Sequence, residues 1–153
     1  MKIRLLFIAL ICALTSLPVL RAEDGAPKAA AKEETELDHV MDRLNKAYGK
    51  VRRQVSDATK NADSIAQVAI MKEAAEAAVK LEPKWKADKP ADEQAKFVAD
   101  YQAKMKETIA QIAKLEEALK AGNNEEAAKI FGVVRDAQKA GHKEFKKPDP
   151  KKG

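Results

Sequence analysis

Two side chains in distant parts of the chain could bind a transition metal. Met41 carries a thioether and His142 an imidazole, and these two groups are good axial ligands for a haem iron. A Met on the apolar side of a helix more often fills the core, however, and a His near a helix end is more often a surface residue. Which interpretation applies depends on whether the fold brings Met41 and His142 together.

The elements that would position these residues are helices. Apolar residues recur every three or four positions, for example from Leu37 to Val55 and from Phe97 to Leu119, which is the period of an amphipathic helix. Four such segments are present, at about 34–60, 64–82, 90–121 and 124–146. No strand pattern competes with them, so the sequence predicts an all-α fold.

Capping residues and helix breakers mark the ends of these segments. Pairs with the spacing of a capping box begin two of them: Thr35 with Asp38, and Ser64 with Gln67. Asn123, with Glu126 three residues on, begins the fourth. Helix breakers follow the second, third and fourth: Pro83, Gly122 and Pro148. Gly141 could instead end the fourth helix early, which would leave His142 in a loop.

The connections between the predicted helices are short, which favours antiparallel neighbours. The sequence therefore predicts an antiparallel up-down-up-down four-helix bundle over residues 34–147. In this topology the first and third helices begin, and the second and fourth end, at the same end of the bundle. That end would hold a thioether, an imidazole and several bulky apolar groups, namely Met41, His142, Pro83, Trp85, Phe97 and Tyr101.

Residues 1–22 have the layout of a secretory signal peptide, with basic residues, a short apolar run and a small residue at Ala22. The polar residues 23–33 and 148–153 predict a flexible linker and a polar tail. We expect cleavage near Ala22, export of the mature chain, and no membrane insertion after cleavage.

Removal of residues 1–22 changes the charge and the cysteine content. The chain has 29 basic and 24 acidic residues, and three of the basic ones lie in this segment, so the formal net charge falls from +5 to +2. A charge this small argues against nucleic-acid binding. Cys12, the one cysteine of the chain, also lies there, which excludes disulfides and covalent C-x-x-C-H haem attachment from the mature chain.

The chain resembles the cytochrome b562 family, whose members are periplasmic four-helix proteins that bind haem b without a covalent bond. The similarity covers about residues 35–146. Its segments are LDHVMDRLN, with Met41 at the family's axial Met; DSIAQV at the start of the second helix; the aromatic pair of FVADY; and HKEFK, with His142 at the axial His. The segment QKAGH also looks like the haem-attachment motif of the related cytochrome c′ group with both Cys replaced.

The resemblance implies a periplasmic electron-transfer protein, not an enzyme, with one haem b per chain. Met41 and His142 would fill both axial positions of the iron, which favours electron transfer over oxygen or peroxide chemistry. The residues expected to contact the haem are Leu37, Leu44, Pro83, Phe97, Tyr101, Gln138, Phe145 and Lys146. We expect a monomer that exchanges electrons with redox partner proteins, which the sequence does not identify.

A haem-free envelope bundle that acts as a structural or protein-interaction module is the alternative. The helices are rich in Ala, and Gln138 stands where the family usually has an Arg. A di-iron bundle is a poorer match: Glu36 and His39 have its Glu-x-x-His spacing, but no second pair is present. His39 lies two residues from Met41, hence on a different face of the helix, and we expect it to be solvated.

Overall fold

The computed structural model describes residues 34–148. These residues form four α-helices, which are α1 (Glu36–Gln54), α2 (Asn61–Ala78), α3 (Ala91–Lys120) and α4 (Asn124–Phe145). Short 3₁₀ turns at Ala58–Lys60 and Lys84–Asp88 lie in two of the connections. No strand is present within the described residues, and the predicted all-α four-helix bundle is confirmed. The predicted signal peptide, the linker 23–33 and the tail beyond Pro148 lie outside them.

Helix α1 begins as predicted but ends earlier. The Thr35 hydroxyl accepts a hydrogen bond from the Asp38 backbone N–H at 3.3 Å, and the Asp38 carboxylate accepts one from the Thr35 N–H at 2.8 Å. The helix ends at Gln54 rather than near residue 60. The Asp57 carboxylate accepts a hydrogen bond from the Thr59 backbone N–H at 2.9 Å, and this local turn starts a separate 3₁₀ segment.

The predicted start of α2 at Ser64 is wrong. Helix α2 begins at Asn61, directly after the 3₁₀ turn, and no side chain caps its first backbone N–H groups. Because the turn leads straight into the helix, Ser64 lies inside the first turns of α2, where it is fully buried. Its hydroxyl has no hydrogen-bond partner.

The other end of α2 also differs from the prediction. Regular α-helix ends at Ala78 rather than near residue 82. The next turn is tightened, since the N–H of Lys80 bonds to the carbonyl of Ala77, and that of Leu81 to the carbonyl of Ala78, both at 3.1 Å. Pro83 follows, and the residue before a proline is disfavoured in helical conformation.

Helices α3 and α4 have nearly the predicted bounds. Gly122 has a φ of 70°, the left-handed conformation that ends many helices. The Asn123 side chain then accepts a hydrogen bond from the Glu126 N–H at 3.1 Å. Helix α4 continues through Gly141 to Phe145, so the alternative of an early end at Gly141 is wrong. The buried Phe145 ring holds this last turn on the bundle.

The four helices pack closely on three sides of the bundle. The backbones of α1 and α2, of α2 and α3, and of α3 and α4 approach each other closely, whereas α1 and α4 hardly do so. Small buried residues on α2 allow the close approach: Ala74, Ala75 and Ala78. The fourth side, between α1 and α4, is therefore the sparsest part of the bundle.

One end of the bundle is held together by side-chain amides, and we call it the closed end (Val55, Asn61, Leu119 and Asn124). Asn61 and Asn124 exchange hydrogen bonds of 3.1 and 2.7 Å. Asn124 also donates to the Val55 carbonyl at 2.8 Å, and Asn61 to the Leu119 carbonyl at 3.4 Å. These contacts link the ends of all four helices. We call the opposite end, with Met41, Tyr101 and His142, the open end.

Candidate functional site

The two candidate ligands lie on the sparse α1–α4 side of the bundle. The Gln138 side-chain amide on α4 donates a hydrogen bond to the Asn45 side-chain oxygen on α1, at 3.0 Å. Asn45 lies one turn after Met41, and Gln138 one turn before His142. Because α1 and α4 are antiparallel, one turn further along brings Met41 opposite His142. The structure therefore brings the thioether and the imidazole to the same level of the bundle.

The apolar stripe of α1 is covered unevenly along its length. Toward the closed end it is buried, and Tyr48 stacks on Phe131 of α4 with ring centroids 4.8 Å apart. Toward the open end Leu37, Met41 and Leu44 are only partly buried. This part of the stripe is an apolar surface that the protein leaves incompletely covered, and it includes the candidate ligand Met41.

An aromatic cluster packs against α3 at the open end. The ring of Phe145 lies 5.4 Å from Phe97 and 5.5 Å from Tyr101, centroid to centroid, and Trp85 contacts Phe97 edge to face at 6.1 Å. The Tyr101 hydroxyl donates a hydrogen bond to the Ala78 carbonyl at 3.1 Å. Burial raises the pKa of Tyr101 to about 12, so that this hydroxyl stays a neutral donor at neutral pH.

The connection between α2 and α3 packs against this cluster. Pro83 is buried, and the Lys89 ammonium lies 3.7 Å from the centre of the Trp85 ring, a favourable cation–π geometry. Lys84 pairs with Asp38 of α1 at 2.6 Å. Hydrogen bonds from Lys84 and from the Thr35 backbone lower the pKa of Asp38 to about 2. The first turn of α1 is thereby attached to the connection.

The side chain of His142 is largely but not fully exposed, and the cationic Lys146 lies near it. Partial burial, and then the positive charge of Lys146, lower the pKa of His142 from its ordinary value of 6.5. Lys143 and Lys146 form no ion pair with a carboxylate of the described residues. The neutral imidazole, which is the form that binds a metal, therefore persists to lower pH than in a free histidine.

Comparison with known protein families decides the assignment. Residues 36–146 match the family model of cytochrome b562. The chain belongs to the cytochrome b562 family. The match runs from the first residue of α1 to just past the end of α4, so it includes both Met41 and His142. No curated protein and no solved structure matches the chain significantly.

Cytochromes b562 are haem-binding electron-transfer proteins. The residues of this chain fit such a group, because Met41 and His142 lie at the same level on α1 and α4, and the partly buried Leu37 and Leu44 offer apolar surface to a flat macrocycle. Phe97, Tyr101 and Phe145 lie at the same end. None of the helices within residues 34–148 has the length and apolar character of a membrane span.

Gln138, which is expected to contact the haem, is hydrogen-bonded to Asn45, a residue that is not among the site residues predicted from the sequence. The sequence did carry one sign of Asn45: it lies one turn from Met41, as Gln138 lies one turn from His142.

The other polar candidates do not form a metal site. His39 is exposed as expected, 3.6 Å from Glu34. Within the described residues no group of three or more His, Cys, Asp or Glu could hold a metal ion.

Proposed function

We propose that this cytochrome b562 is a periplasmic electron carrier that binds one haem b non-covalently, with Met41 and His142 as axial ligands. The main support is the register of α1 and α4: the Asn45–Gln138 hydrogen bond lies one turn from each ligand. The proposal includes export by the segment 1–22 and a monomer that exchanges electrons with redox proteins.

A bound haem b supplies a one-electron couple at its iron. Met41 and His142 would hold the iron from both sides, and a protein that fills both axial positions leaves none for a substrate. The neutral thioether of Met41 favours the reduced form and raises the potential. The imidazole of His142 must be unprotonated to bind, and its lowered pKa assists this.

The remaining residues would bury the macrocycle and balance its charge. Leu37, Leu44 and Phe145 supply apolar surface that excludes water, and Pro83, Phe97 and Tyr101 support them from the α3 side of the open end. Lysines on the last turns of α4 would face the propionates as flexible point charges, namely Lys139, Lys143 and Lys146.

The test is an optical spectrum of the mature chain, residues 23–153, exported in a haem-sufficient host and recorded oxidised and dithionite-reduced. We expect a sharp Soret band, resolved α and β bands on reduction, and pigment that extracts into acidified organic solvent. Met41→Ala and His142→Ala should each lose the six-coordinate spectrum. Matched controls are Met105→Ala, another partly buried methionine, and His39→Ala, the other histidine; both should keep it.

The haem-free interaction module remains the second candidate, and one observation favours it. Gln138 stands at the position where the family usually has an Arg, so it brings no positive charge to a haem propionate. A mature chain that stays colourless after haem titration, while its circular dichroism spectrum is that of a folded helical protein, would support this candidate. A Met41→Ala variant with an unchanged haem spectrum would instead exclude the axial role of Met41.

A further inference from the structure

We propose that Asn45 is a positioning residue for the axial pair, and that it acts through Gln138. The hydrogen bond between these two side chains would hold the last turns of α4 against α1, and so fix the level at which His142 faces Met41. This inference rests on the proposed function.

Directional contacts between α1 and α4 are scarce. Within residues 34–148, hydrogen bonds and ring contacts between side chains of α1 and α4 occur at two places, the Tyr48–Phe131 stack and the Asn45–Gln138 hydrogen bond. The backbones themselves hardly approach each other on this side. Apart from the apolar core that both helices share, the relative position of α1 and α4 therefore depends on few directional interactions.

The stack and the hydrogen bond lie at different levels of the bundle. The Tyr48–Phe131 stack lies toward the closed end, so the Asn45–Gln138 hydrogen bond is the nearer of the two to the candidate ligands. Beyond it, the last turn of α4 packs through Phe145 on the rings of α3, not on α1. Loss of the hydrogen bond would thus free the His142 turn from α1 while leaving it attached to α3.

Asn45 and Gln138 interact through a hydrogen bond between neutral groups. A hydrogen bond is directional, so it constrains the sliding of α4 along α1 in a way that apolar contacts do not. Both partners are uncharged amides, which do not titrate. The constraint on the ligands would therefore not depend on the protonation state of either partner.

The test compares the wild-type chain with Asn45→Ala, Gln138→Ala and the double variant. Haem is titrated into each apoprotein, and the spin state at saturation is read from the spectrum. An exposed neutral hydrogen bond contributes modestly, so each single variant should bind haem about two- to fivefold more weakly. The double variant should bind no more weakly than either single variant, and all three should show a larger five-coordinate high-spin fraction. Asn45→Asp keeps an acceptor for Gln138 and should restore the low-spin spectrum.

A readout without haem separates positioning from general stability. Backbone amides in the last turn of α4 should exchange faster with solvent in apo Asn45→Ala than in the wild type. The matched control is Asn61→Ala, which removes interhelical hydrogen bonds at the closed end. It should lower the stability of the fold but leave the spin state and the exchange of the last turn unchanged.

The outcomes separate this inference from the proposed function. If the wild-type chain takes up no haem, the proposed function fails and this inference fails with it. If the wild type binds haem but Asn45→Ala has the same affinity and spin state, only the positioning role is overturned. A high-spin fraction that rises equally in Asn61→Ala would also overturn it, because general destabilisation would then explain the effect.

Discussion

Replacement of Asn124 by Ala should destabilise the fold strongly, although the residue lies far from the candidate ligands. Its side chain takes part in three hydrogen bonds, to the Val55 carbonyl at 2.8 Å and to and from the Asn61 amide at 2.7 and 3.1 Å. A net contribution of about 0.5–1.5 kcal/mol for each of the three bonds gives a loss of about 1.5–4.5 kcal/mol in the free energy of unfolding. The loss arises because Asn124→Ala leaves partly buried partners unsatisfied.

The assay is urea unfolding of the mature chain, followed by circular dichroism. A denaturant dependence of about 2 kcal/mol per M converts the expected loss into a decrease of about 1–2 M in the unfolding midpoint. Asn123→Ala is the matched control, since the neighbouring Asn123 makes one exposed capping hydrogen bond, with an expected cost of about 1 kcal/mol. A midpoint for Asn124→Ala equal to that of Asn123→Ala would refute the role of the closed-end amides.

Three further changes test other parts of the structure. Lys146→Gln should raise the pKa of His142 in the apoprotein, measured by NMR titration, while Lys146→Arg should not. Ser64→Ala should raise the free energy of unfolding by about 1 kcal/mol in urea, because it removes a buried hydroxyl without a partner; a decrease would contradict that assignment. The hydrogen bond from Lys84 is the main cause that lowers the pKa of Asp38 to about 2. The contribution of the Asp38 carboxylate to the free energy of unfolding is therefore present above about pH 4 and lost toward pH 2. The difference in unfolding free energy between wild type and Asp38→Asn should shrink over that range.

The sequence predicted the helices better than their ends. Each helix is indicated by many apolar residues, such as those from Phe97 to Leu119. The prediction of a helix would therefore not change if one of these residues were polar. A helix end depends on one or two hydrogen bonds. Ser64 and Gln67 have the spacing of a capping box, but the 3₁₀ turn before Asn61 starts the helix earlier. Local spacing could not reveal that turn.

The candidate site was predicted in part for a similar reason. The position of Met41 and His142 at the same end of the bundle follows from helix order and length, which the sequence contains. The role of Asn45 does not, because its partner Gln138 lies far along the chain and neither residue belongs to an apolar pattern. A polar pair between two helices becomes visible only once their register is known.

The sparse α1–α4 side has a consequence for the rate at which a planar ligand could enter. A ligand that passed between α1 and α4 would leave the three closely packed sides intact, so its entry barrier would not include global unfolding. Met41 and His142 lie on the open-end side of the Asn45–Gln138 hydrogen bond, so the closed-end amides could stay in place during entry. Haem association should therefore be faster than unfolding of the apoprotein, and nearly independent of substitutions at Asn124.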